Sequence, residues 1–136
     1  MSNYARYAPS SLPDVTAVHV VALSGVRRKH VSKYMDAAVE APYLWIAGKS
    51  AQRLAKLWRR LPSGHQRRCH MPRIGLRFLS GEEVICQGSI CWKCHNIYGD
   101  VDGAHFCYEF DANAKPSITL LSEIRKLIAT FDTREE

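Results

Sequence analysis

Apolar positions change rhythm along this chain, and each change marks an element. Val15 to Leu23, VTAVHVVAL, is β-branched and nearly all apolar, the pattern of a buried strand. Ser24-Gly25 ends it. From Arg28 to Glu40, Val31, Tyr34, Met35 and Ala38 recur at helical spacing, and Pro42 closes the segment. Tyr43 to Ala47, YLWIA, reads as a short second strand or as a lead into the next helix. That helix is the clearest element: Ala51, Leu54, Leu57, Trp58 and Leu61 form an apolar stripe, with Lys49, Arg53, Lys56 and Arg60 on the other side. Ser50 suits its N-cap, and Pro62 its stop. Pro62 to Arg68 reads as a loop.

The second half alternates at the shorter period of strands. Ile74, Leu76 and Phe78 mark one strand, Ser80-Gly81-Glu82 a turn, and Val84 to Trp92 a second strand. Gly99-Asp100-Val101-Asp102-Gly103 has turn composition, and His105 to Phe110 is a third strand. After Pro116-Ser117, Leu121, Ile124, Ile128 and Phe131 share a helical face, with Leu120 and Leu127 beside it. The order predicts an α+β fold: a mostly antiparallel sheet with a C-terminal three-stranded meander, and helices packed on it. Residues 1–13, with Pro9, Ser10, Ser11 and Pro13, read as a mobile arm, residues 14–132 as one domain, and residues 133–136 as a polar tail.

Composition narrows the class of protein. At 136 residues, with 46% apolar and 24% charged positions, the chain suits one ordinary globular domain. A net charge of +6 points to an acidic partner, protein or nucleic acid. The N-terminus lacks the basic and apolar regions of a secretory signal, and no stretch has the length of a membrane span. The expected location is the cytosol, with no membrane partner, where thiols stay reduced and a stable disulfide framework is disfavoured.

The chemistry concentrates at Cys91-Trp92-Lys93-Cys94-His95, in a chain of five cysteines. C-x-x-C-H is the spacing of haem attachment, but attachment of that kind belongs outside the cytosol. Thiol redox chemistry calls for a C-x-x-C that opens a helix, and here strand and turn residues follow. A metal reading survives. Cys69-His70 precedes the first meander strand and Cys91 to His95 end the second, so a hairpin brings them together. Cys69, Cys91 and Cys94, with a fourth ligand from His70 or His95, would form a closed tetrahedral zinc site. The competing reading makes these cysteines small buried hydrophobes.

A second cluster is basic. Arg53, Lys56, Arg59, Arg60, Arg67 and Arg68, beside Trp58, form a candidate partner-binding patch, because Trp and Arg are enriched at binding hot spots. The same cations could grip phosphates, and a solvated helix face accounts for much of the pattern. Gly48-Lys49-Ser50 lacks the upstream glycine of a phosphate-binding loop, since position 43 is Tyr43. No catalytic constellation stands out. Glu82-Glu83 and Asp100/Asp102 read as turn residues, and His19, in an apolar strand, as a core residue with a backbone partner.

The segments Arg68-Cys69-His70-Met71-Pro72-Arg73-Ile74-Gly75 and Ser89-Ile90-Cys91-Trp92-Lys93-Cys94-His95-Asn96-Ile97 resemble those of a group of small uncharacterised bacterial proteins. These pair a C-[HF]-x-P-x-x-G segment with a downstream S-x-C-[WF]-x-C-N-N-I segment. The resemblance spans residues 68–98, with a weaker echo over residues 51–59. His95 departs from the group's Asn, which shifts weight toward His70 as ligand or toward buried thiols. Some similar proteins look like toxin-immunity components. The resemblance therefore implies a non-catalytic cytosolic protein-binding domain that neutralises a bacterial toxin, its basic surface meeting an acidic partner. The alternatives are a zinc-stabilised nucleic-acid-binding domain and an enzyme using a reactive Cys91 or Cys94.

Overall fold

Among the described residues six antiparallel strands make one sheet, in the order β2-β1-β3-β4-β5-β6. The computed structural model describes residues 5–24, 34–65 and 69–135. The strands are β1 (Ala17–Ala22), β2 (Tyr43–Ala47), β3 (Ile74–Ser80), β4 (Glu83–Cys91), β5 (Asn96–Val101) and β6 (Ala104–Glu109). The helices are α1 (Tyr34–Ala37), α2 (Gly48–Arg59) and α3 (Lys115–Glu135). The protein is therefore α+β, and no helix among the described residues is long and apolar enough to cross a membrane.

The two faces of the sheet are covered unequally. Val18, Val20, Leu76, Phe78, Ile90, Ile97 and Phe106 pack with Leu54, Trp58, Leu120 and Ile124 in the main core, so α2 and α3 lie on that face. On the other face Val21, Leu23, Met35 and Ala38 form a smaller cluster. β1 contributes to both, which is why its sequence, AVHVVA, is apolar at every position but His19. Trp58 is the hub of the main core. It is fully buried, packs edge-on against Phe78 at 4.9 Å, and its Nε1–H donates to the Tyr7 hydroxyl at 2.7 Å.

Four elements differ from the sequence reading. The second half has four consecutive neighbouring strands rather than three, because Asn96–Val101 forms β5 where Gly99 and Asp100 suggested a turn. The reading of residues 1–13 as a mobile arm is corrected for the described part. Tyr7 stacks on Phe106 at 4.0 Å, Pro9 and Leu12 are buried, and the Ala5 amide donates to the His105 carbonyl at 2.8 Å. The polar tail is not separate, since α3 runs to Glu135. α2 begins at Gly48, with Ala47 at its N-cap and no side-chain cap, so Ser50 lies inside the helix. Gly48 turns from β2 into α2 at φ +63°, a conformation glycine adopts without strain. Of the helix expected over Arg28–Glu40, residues 34–37 are helical, and residues 28–33 lie outside the described residues.

Candidate functional site

The hairpin of β3 and β4 pairs Ile74 with Ile90. The chain just before β3 therefore lies beside the turn that follows β4. Cys69 and Cys94 meet there and form a disulfide, with Cα atoms 5.7 Å apart. The expectation of fully reduced thiols is corrected at this pair. Cys91 stays a free, buried thiol whose Sγ accepts the Cys94 amide proton at 3.2 Å. Residues 92–95 form the turn, and His95 closes it in the left-handed region at φ 58°.

A buried polar chain stands beside this corner. Asn96 Nδ2 donates to the Cys69 carbonyl at 2.6 Å, which leaves its Oδ1 facing His70 Nδ1 at 2.6 Å. His70 Nδ1–H is thereby the donor to Asn96. His70 Nε2 lies 2.8 Å from Ser89 Oγ, and that hydroxyl is also 3.0 Å from the Tyr98 carbonyl. The Tyr98 ring meets the imidazole edge-on at 4.5 Å. Serine, histidine and asparagine here stand in the order of nucleophile, base and orienter. Ser89 and Asn96 are nonetheless fully enclosed and His70 is 3% exposed, so no substrate atom reaches the serine oxygen. The chain acts as a pin that ties the Cys69 loop to β4 and β5. Buried polar groups stabilise only when satisfied, and these satisfy one another.

The corner has a measurable consequence for stability. The bridge joins residues 25 apart in sequence. Loop-closure entropy at that length amounts to about 3.5 kcal/mol in the unfolded chain. Reduction by a dithiol, with metal excluded by a chelator, is expected to lower stability by about 2–3.5 kcal/mol in urea denaturation. An unchanged midpoint would mean that the polar pin alone holds the loop.

The proposed metal donors are thus brought to one corner but not as a free set. Cys69 and Cys94 are bonded to each other, Cys91 is adjacent, and both His70 ring nitrogens face partners. Cys86 and Cys107 lie elsewhere on the sheet. Burial pushes the Cys86 thiol up to about 12 and the Cys107 thiol up to about 11, which suits neither for nucleophilic work at neutral pH.

The basic patch is divided. Trp58 is inside the core. Arg59 turns back to hold the N-terminal segment, its Nε and Nη2 donating to the Leu12 and Pro13 carbonyls, each at 2.8 Å. Arg53 pairs with Glu123 at 3.2 Å. Arg67 and Arg68 lie outside the described residues. Arg53, Lys56 and Arg60 do share one side of α2 and line a cleft of about 220 Å³ with Lys115, Pro116 and Thr119 of α3.

A surface the sequence reading passed over is the β2 edge. Val39, Tyr43 and Trp45 are 69%, 49% and 65% exposed. β2 ends the sheet, and nothing pairs with its outer side among the described residues. Tyr43 stacks on His19 at 4.1 Å, and the Arg77 guanidinium lies 5.9 Å from the Tyr43 ring centroid. His19 has no backbone partner for Nδ1 among the described residues, contrary to expectation. Arg77 itself is 8% exposed and donates to the Ala38 carbonyl at 2.7 Å, fixing the end of α1. The alternation of YLWIA carried a signal: Tyr43 and Trp45 share one face, Leu44 and Ile46 the other.

No protein-family model, no curated protein and no solved structure matches the chain.

Proposed function

We propose that the chain is a non-catalytic protein-binding domain that receives an extended, acidic segment of its partner along β2. The observation that carries this is the β2 edge, with which no strand among the described residues pairs on its outer side. Residues 43–47 hold no charge and no proline, the devices that usually blunt an edge strand, and Trp45 and Tyr43 stand on it as exposed aromatics. Backbone pairing along such an edge supplies affinity, and alternate side chains supply specificity. The opposite edge contrasts with it, because the N-terminal segment bonds to β6 through Ala5. The net charge of +6, with Lys49 next to the strand, favours an acidic partner and mainly raises its rate of encounter. Toxin neutralisation is the role implied by the resemblance at residues 68–98, and this edge is where such a partner would be held.

The test is affinity, by calorimetry, for the protein that co-purifies with the chain from its native cell. Trp45→Ala is expected to weaken it about 30-fold, the effect of losing a hot-spot residue of ~2 kcal/mol. The pair Lys56→Glu, Arg60→Glu should leave most of the affinity. If the charge-reversed pair loses the partner while Trp45→Ala keeps it, the reading fails. A second reading rests on the cleft of Arg53, Lys56, Arg60 and Lys115: nucleic-acid binding there would show a steep log–log dependence on salt and no dependence on Trp45.

A further inference from the structure

We propose that the groove between α3 and the segment leading into β3 binds an amphipathic anion, a single acyl chain ending in a carboxylate. The groove encloses about 1000 Å³, at the upper end of the range for small-molecule sites. Its walls are apolar: Ile74 and Ile90 from the sheet, Leu121 and Ile128 from α3, and Met71 from the segment before β3. Met71 is 72% exposed. A large apolar side chain left in water among other apolar groups marks an interaction site, whereas a scattered one does not. A second cavity of about 400 Å³ shares Trp92, Leu121 and Arg125 with the first, so the apolar track continues along α3. A track of that kind suits a flexible chain better than a compact ring system.

The rim sets the charge of the occupant. Arg73 before β3, Lys93 in the turn after β4 and Arg125 on α3 all line the groove. No acidic residue lines it among the described residues, and none of the three cations has an ion-pair partner there. Three like charges gathered without a counter-ion repel one another, and an anion placed among them is attracted by all three. All three residues are exposed, while Ile74, Ile90, Leu121 and Ile128 are half-buried or buried. The carboxylate therefore stays at the wet rim and the chain lies on the apolar floor. The cleft beside α2 lacks this division, since its Arg53 is already paired with Glu123.

Both walls are fixed before any ligand arrives. Leu120 and Ile124 are fully buried and seat α3 against the core. On the other side the Leu23 amide donates to the Arg73 carbonyl at 2.9 Å and Pro72 is buried. Two residues before Met71, the Cys69–Cys94 bridge and the bond from Asn96 to the Cys69 carbonyl hold the chain. A preformed groove spends little of the binding energy on ordering its own walls.

The experiment titrates the full chain, bridge intact, with octanoate, decanoate and dodecanoate by calorimetry, below their micelle concentrations. One saturable site per chain is expected. Its affinity should rise about 3- to 4-fold with each added methylene and fall as salt is added. Dodecyltrimethylammonium, the same chain with the opposite charge, should find no such site. Met71→Asp, at an exposed position that leaves the fold intact, should weaken dodecanoate binding by at least about 10-fold. Arg125→Glu should weaken it by about 5-fold, the effect of reversing one exposed charge pair. Arg6→Glu, the same charge change outside the groove, should stay within about 2-fold of the parent. Circular dichroism reports the folding of every variant. A folded parent with no saturable dodecanoate site overturns the proposal. So does equal binding of the cationic amphiphile, or binding that Met71→Asp and Arg125→Glu both leave unchanged. Binding to vesicles of anionic phospholipid without binding of free dodecanoate also overturns it, and makes the groove a membrane-surface patch. None of these outcomes depends on what pairs with β2.

Discussion

Trp58→Ala is expected to lower stability by about 3–5 kcal/mol, the range for emptying a large aromatic site in a core. That is a large part of the total for a domain of this size, commonly 5–15 kcal/mol. Three losses combine. The ring is fully buried among Leu54, Phe78 and the β4 strand, so its removal leaves a cavity roofed by α2. The Tyr7 hydroxyl loses the Nε1–H that it accepts at 2.7 Å and keeps a weak contact with Cys86 Sγ at 3.6 Å. Tyr7, stacked on Phe106, is the main anchor of the N-terminal segment, so that segment should loosen with the core. Urea denaturation followed by circular dichroism gives the magnitude. Trp58→Phe separates the terms, since it keeps most of the ring and loses the hydrogen bond, and should cost about 1–2 kcal/mol. Lys56→Ala, on the same helix but in solvent, should stay within about 0.5 kcal/mol of the parent. A Trp58→Ala protein within 1 kcal/mol of the parent would remove Trp58 from the centre of the fold.

The same residue shows how far the sequence could be read. Its spacing with Leu54, Leu57 and Leu61 placed Trp58 on the buried stripe of the helix, while the enrichment of tryptophan at interfaces placed it on the surface. The stripe was right, because periodicity reports local geometry, and enrichment is an average over proteins. Arg59 misled in a similar way. A cation at a helix end is commonly solvated, but the two carbonyls it holds belong to Leu12 and Pro13, a contact that no local pattern encodes. The meeting of Cys69 with the Cys91–Cys94 turn was legible, since a hairpin dictates it. Which sulfur pairs with which was not, because that depends on a fraction of a residue's offset and on redox state. Ser89, Asn96 and Tyr98 escaped notice because each is unremarkable alone, and only the register of β4 against β5 brings them under His70. The β2 edge escaped notice because exposure is a property of strand order, and order came from the fold.

Gly99→Ala should be at least as damaging as the loss of Trp58's neighbours, with a cost of more than about 3 kcal/mol, the top of the usual range for overpacking. Gly99 looked like a turn residue, but it lies inside β5 directly opposite Gly88 of β4. An added Cβ there would sit 2.0 Å from the Gln87 carbonyl oxygen, 2.8 Å from Gly88 Cα and 2.9 Å from Phe106 Cζ. The first two are backbone atoms of the neighbouring strand, so relief requires β4 and β5 to move apart and weaken their ladder. At Gly88 the outcome differs, because an added Cβ meets side chains: Ile97 Cγ2 at 2.7 Å and Trp58 Cη2 at 3.1 Å. Gly99 thus lets the β4 and β5 backbones approach each other, whereas Gly88 leaves room over the sheet for Ile97 and the Trp58 ring. That difference makes a double-mutant cycle decisive. Trimming the ring in Trp58→Phe should recover part of the cost of Gly88→Ala, because one of the two close obstructions, the one at 3.1 Å, belongs to the indole, while the nearer belongs to Ile97. The same background should recover none of the cost of Gly99→Ala, because its obstruction is main chain. Equal recovery at both positions would mean that the sheet adjusts as a whole and that the indole does not set the spacing of β4 and β5.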